Sequence, residues 1–176
     1  MNELTFTRSR TGLGYPQTVR LVTRAIDAAL TAEGIEEPCA VEVLLTDDAT
    51  IHGINREHRG VDRPTDVLSF PLNELTPGAF DPEDCEYDYD RECLLLGDMV
   101  ISMERCAAQG EEFGHGYARE VMYLAVHSTL HSTPRPTVSS STSTTAVWSS
   151  RLRQPLRPTS ASASARSACQ LTRRWP

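Results

Sequence analysis

Between positions 16 and 33 the apolar residues Val19, Leu21, Val22, Ala25, Ile26, Ala29 and Leu30 recur at roughly helical spacing, with Pro16 opening the stretch and Gly34 closing it. The pattern predicts an amphipathic helix. Residues 40–46 are short, apolar and rich in β-branched side chains, and they stop at Asp47-Asp48, a natural N-cap for a helix running to about Glu57. A strand followed by a helix is the reading. Residues 66–71 form a second predicted strand, with Pro71 closing it or placing it near a sheet edge. Residues 94–102 form a third, followed by a helix from about Met103 to Glu112. Gly114-His115-Gly116 then breaks the chain before a last helix that begins near Tyr117. No internal repeat is present. Strands interleaved with helices in a body of this length predict one domain of α/β or α+β type.

Composition divides the chain. Its 176 residues carry 17 basic and 24 acidic side chains, and every basic residue is arginine. All 24 acids and 10 of the arginines fall in residues 1–131, while residues 132–176 hold seven arginines, 18 Ser and Thr, and no acid. Few apolar residues interrupt that basic segment, too few to offset the entropy of ordering it, so it reads as a disordered tail on an acidic domain. No apolar run approaches the roughly 20 residues that span a bilayer. The N-terminus lacks a basic stretch followed by an apolar one, which predicts a cytoplasmic protein without membrane contact. Cys39, Cys85, Cys93, Cys106 and Cys169 are odd in number and contain no Cys-x-x-Cys pair, so reduced thiols are expected. The acidic stretch 77–92 has no glycine at the sharp turn a calcium loop needs beyond Gly78 at its start, and reads as a solvated loop or hairpin.

Two groups of residues carry candidate chemistry. His127 and His131 stand at i and i+4, on one helical face, near enough to bind one metal ion. Zinc suits imidazole, but a catalytic zinc uses about three protein ligands and an open position. A chance pair on a solvated face is the bland alternative. Zinc proteases place a glutamate after the first histidine, and this chain has Ser128 there, which removes their general base. Glu120 lies two helical turns back, about 10 Å along the axis, out of reach of that role. Arg56, His58, Arg59 and Arg63 surround the turn Gly60-Val61-Asp62. Arginine's planar fork suits phosphate oxygens; the alternative is pairing with Asp62, Asp66 or the acidic loop, which would contribute little.

The order of Ile54-Asn55-Arg56-Glu57-His58-Arg59-Gly60, then Pro64-Thr65-Asp66-Val67-Leu68-Ser69-Phe70-Pro71, then Leu96-Gly97-Asp98-Met99-Val100-Ile101-Ser102, then Arg119-Glu120 and His127-Ser128-Thr129-Leu130-His131 resembles the YbeY family, the bacterial metal-dependent endoribonucleases of ribosomal RNA maturation. The resemblance covers residues 40–131. It implies a single α/β (α+β) domain over 1–131 with a mixed sheet flanked by helices. One Zn2+ would be held by three histidines in a pattern His-Gly-x-Leu-His-x5-His on and after a helix near residues 117–131. His127 and His131 match the first two ligands and Leu130 the leucine, while Ser128 replaces the glycine. Arg59 matches the arginine beside the metal. The third ligand falls at position 137 within Gly-Tyr-Asp-His, where this chain reads Pro134-Arg135-Pro136-Thr137. His115, about 18 Å upstream of His127 along a helix, is a poor substitute.

Resemblance and composition therefore change within one residue of each other. A reading-frame shift near codon 132 of a GC-rich gene accounts for both; a genuine low-complexity tail over 132–176 is the alternative. The function implied is hydrolysis of single-stranded RNA during ribosomal RNA processing and ribosome quality control, impaired here by the missing ligand. By the same resemblance Arg59 would stabilise charge on the phosphate, and Arg56, Arg59 and Arg63 are the expected RNA contacts. His58 could move a proton, or could be a plain surface histidine. Acidity disfavours indiscriminate RNA binding, so the ribosome or small-subunit proteins are the expected partners. The competing reading is a non-catalytic ribosome-assembly or RNA-binding factor.

Overall fold

The computed structural model describes residues 1–73 and 82–133. Asp81, position 137 and the rest of the tail beyond Thr133 lie outside the described residues. Strand β1 (Glu3–Arg8) leads to helix α1 (Thr18–Ala32), strand β2 (Cys39–Thr46), helix α2 (Asp48–Arg59) and strand β3 (Val67–Pro71). A 3-10 turn at Pro82–Asp84 precedes strand β4 (Tyr87–Asp88), strand β5 (Cys93–Ser102), helix α3 (Met103–Glu112) and helix α4 (Tyr117–His131). The expected helices and strands are all present, and two short strands join them.

The sheet is mixed, with order β1-β2-β5-β3 and β4 paired to the start of β5. β1, β2 and β5 run parallel, while β3 is antiparallel to β5. β5 is central because it is apolar on both faces: Leu94, Leu96, Met99, Val100 and Ile101 are all buried. β3 lies at the edge and ends on Pro71, where a missing N–H costs no ladder bond. β1 was not expected from the sequence. Its Leu4-Thr5-Phe6-Thr7 alternation is a half-buried strand signal only four residues long, and pairing with β2 decides it. Within the described part of the acidic stretch, Pro82–Asp84 forms a turn and Tyr87–Asp88 a short strand in a hairpin with β5.

Local chemistry explains the helix ends. Asp47 caps α2 by accepting the Thr50 N–H at 2.9 Å, and this bond, with Arg10 beside it, holds the Asp47 carboxyl below its ordinary range. Gly60 closes α2 with φ 67°, the left-handed conformation that glycine adopts at no steric cost. On α1, Leu21, Val22, Ala25, Ile26, Ala29 and Leu30 are buried, the stripe its spacing anticipates. Cys39, Cys85, Cys93 and Cys106 are buried and form no disulfide among the described residues; Cys169 lies outside them. Burial pushes Cys39 up to about 12, so it stays protonated and inert near neutral pH. No described helix is long and apolar enough to cross a membrane.

Candidate functional site

Helix α4 positions the imidazole pair. Its inner face, Val121, Leu124, Ala125 and Ser128, is buried, which leaves His127 and His131 on the exposed face one turn apart. The two Nε2 atoms stand 3.2 Å apart, with ring centroids at 4.5 Å and planes nearly perpendicular. Two imidazoles at adjacent corners of a zinc tetrahedron, with Zn–N near 2.05 Å, would have nitrogens about 3.3 Å apart. The spacing and donor type would suit one metal ion, and the same 3.2 Å separation is that of a hydrogen bond between the two rings. Tyr123, one turn back, lies nearly parallel to His127 with centroids at 6.1 Å. Among the described residues, no group of three His, Cys, Asp or Glu side chains is placed to hold a metal.

Ser128, where the YbeY pattern has glycine, is fully buried, and its hydroxyl lies 2.7 Å from that of Ser69 on β3. The extra polar atom is thus satisfied across 59 residues of chain rather than stranded in the core. The residue also points away from the imidazoles, which removes it from any role as a base there. Ser69 was not singled out from the sequence, because nothing local marks a partner so distant in the chain.

The next residue, Phe70, projects to the opposite face of β3, as consecutive strand residues do. There it meets the ring of His58 edge-on, with centroids at 5.4 Å. The last turn of α2 and the last turn of α4 are therefore both anchored on neighbouring residues of one edge strand. Arg56, Arg59 and Arg63 are exposed around the turn that follows α2. Arg56 reaches Asp62 only at 4.0 Å, and Asp62 is held more closely by His52, at 2.7 Å. Arg56, His58 and Arg59 in the last turn also complement the negative end of the α2 dipole, a purely structural benefit.

His115 does not join the imidazole pair. Its Nε2 lies 3.1 Å from Oε2 of Glu120, at the other end of α4. Glu120 is only 4% exposed, and burial raises its pKa, with His115 opposing and Asp66 reinforcing the shift. The folded state thus holds that proton more tightly than the unfolded chain, so ionising Glu120 destabilises the fold as pH rises above the ordinary glutamate range. Relative to Glu120→Gln, the native protein should lose stability as pH rises above the ordinary glutamate value of 4.5, as read from urea midpoints. A relative gain instead would mean that attraction to His115 outweighs burial.

The family model described as Endoribonuclease YbeY matches residues 5–133 of this chain. The chain belongs to the YbeY family. It is 44% identical over 118 residues to the Endoribonuclease YbeY of Clostridium kluyveri, covering 64% of this chain and 72% of that protein. It is 48% identical over 111 residues to the Endoribonuclease YbeY of Pelotomaculum thermopropionicum, covering 63% and 67%. A solution structure of a Thermotoga maritima protein is similar at a TM-score of 0.47 and 21% identity, covering 76% of this chain and 74% of that one. The YbeY match ends two residues beyond His131, where the acidic composition also gives way to Ser, Thr, Pro and Arg.

Proposed function

We propose that this chain is a single-strand-specific, zinc-dependent endoribonuclease of ribosomal RNA maturation and ribosome quality control, weakened by loss of one metal ligand. The observation that carries the reading is the imidazole pair of α4, with nitrogens 3.2 Å apart, on a YbeY-family domain. His127 and His131 would hold the ion, which when bound supplies Lewis acidity and an activated water. The Arg59 guanidinium binds phosphate oxygens in a planar fork and stabilises the negative charge that grows on them during displacement. Arg56 and Arg63 hold the flanking backbone. The acidic charge of residues 1–131 repels RNA elsewhere, which favours a substrate presented by the ribosome or its small-subunit proteins in the cytoplasm.

Residues 132–176 are read as the product of a displaced reading frame that ends the catalytic domain at 131. The nucleotide sequence tests this directly, since absence of Gly-Tyr-Asp-His from both alternative frames would sink it. Calorimetric titration of the full chain with zinc should show weak binding, because two neutral ligands leave the remaining coordination to water. Tight binding at one ion per chain would instead show that another residue supplies the third ligand. The missing ligand also favours the competing reading, a non-catalytic RNA-binding factor. Binding and cleavage of one RNA, measured with and without chelator, separate the two: cleavage that chelator abolishes marks the enzyme.

A further inference from the structure

We propose that Asn55 is a positioning residue for RNA phosphate, locking the turn after α2 so that Arg63 is presented in a fixed place. The proposal rests on the reading of the arginine surface given above. Asn55 sits on the buried stripe of α2 with Ile51 and Ile54 and is only 2% exposed. Its Nδ2 donates to the Arg63 carbonyl at 2.8 Å, while its backbone carbonyl accepts the Val61 N–H at 3.3 Å, a helix-end bond that any residue there would make. The amide thus adds a second tie to a turn the backbone already closes. The Arg63 N–H closes back on the Val61 carbonyl at 2.9 Å, and His52 grips Asp62 at 2.7 Å on the outside of the same loop.

Stability alone gives little reason for an amide on this stripe. Among the described residues, its Oδ1 is buried and has no hydrogen-bond partner. An orphaned acceptor costs more than a single bond to a neutral carbonyl returns, and an apolar side chain would fill the same helical stripe without that cost. What the apolar side chain could not do is hold the Arg63 carbonyl. Fixing the backbone on both sides of Asp62 reduces the conformations that Arg63 must give up when it meets a phosphate, which is where preorganisation acts on affinity.

Binding of the full chain to a fluorescein-labelled single-stranded oligoribonucleotide, in chelator so that cleavage is silent, tests this. Asn55→Ala should weaken binding on the order of fivefold and lower the salt slope by about one phosphate, with the circular dichroism spectrum unchanged. In an Arg63→Ala background the same change should have no further effect, because Asn55 acts through Arg63. An equal loss in both backgrounds overturns the proposal. So does a loss with Arg63→Ala but none with Asn55→Ala, and that result leaves the arginine-surface reading standing. If Arg63→Ala itself does nothing, the proposal falls, and the arginine-surface reading falls as well only if Arg56→Ala and Arg59→Ala are also silent. Should Asn55→Ala not fold, Asn55→Ser carries the same expectations: its hydroxyl can bond back to the Ile51 carbonyl one turn earlier but cannot reach Arg63.

Discussion

Gly97→Ala is expected to lower stability by about 2–5 kcal/mol, the sum of a strained backbone and a forced displacement. Gly97 lies in the middle of β5 with φ 128°, opposite Pro71 of β3. A Cβ there would stand 2.2 Å from the Phe70 carbonyl oxygen and 3.0 Å from both the Leu72 nitrogen and the Pro71 Cα. These are backbone atoms, so relief requires β3 to move off β5. β3 carries Ser69 and Phe70, which anchor α4 and α2, and the damage should reach both the imidazole pair and the arginine turn. Urea denaturation reads the loss. Gly53→Ala is the control: it lies within α2 with no described atom within 4 Å of its Cβ position, and should be neutral or stabilising by up to about 1 kcal/mol. A cost below about 1 kcal/mol for Gly97→Ala would show that the strands do not approach so closely.

Supplying the missing imidazole is expected to raise zinc affinity by at least about 100-fold, since a third protein ligand replaces a water at the ion. The change is Pro134→Gly, Arg135→Tyr, Pro136→Asp and Thr137→His together, which places the YbeY pattern after His131. Calorimetry measures the gain, and RNA cleavage should become readily detectable. In that background His127→Ala should return zinc binding to the weak level, whereas Arg59→Ala should leave zinc binding intact and lower cleavage by about 100-fold, the scale for removing a donor to developing charge. Unchanged affinity in the four-residue variant would mean that the missing ligand is not what limits metal binding.

Much of the fold is legible from local pattern. The stripe of α1, the Asp47 cap and the Pro71 stop are each set by residues within a turn or two of one another, and each is found where the spacing places it. The pairing of His127 with His131 is equally local, because i and i+4 share a helical face in any fold. β1 was illegible because its signal is short and its stability comes from β2, more than thirty residues away. The role of Asn55 left a trace, a polar residue on an apolar stripe, but its partner lies beyond the helix end.

The sequence by itself determined the four helices, the strands β2, β3 and β5, the imidazole spacing, the resemblance to the YbeY family and the abrupt change of composition after His131, because all of these depend on neighbours in the chain. Only the tertiary structure decided which strand is central, that Ser128 is satisfied by Ser69, that His115 belongs to Glu120, and that Gly97 faces the backbone of β3. Each of those is a contact between distant segments, and its energy depends on packing and desolvation that no local pattern contains.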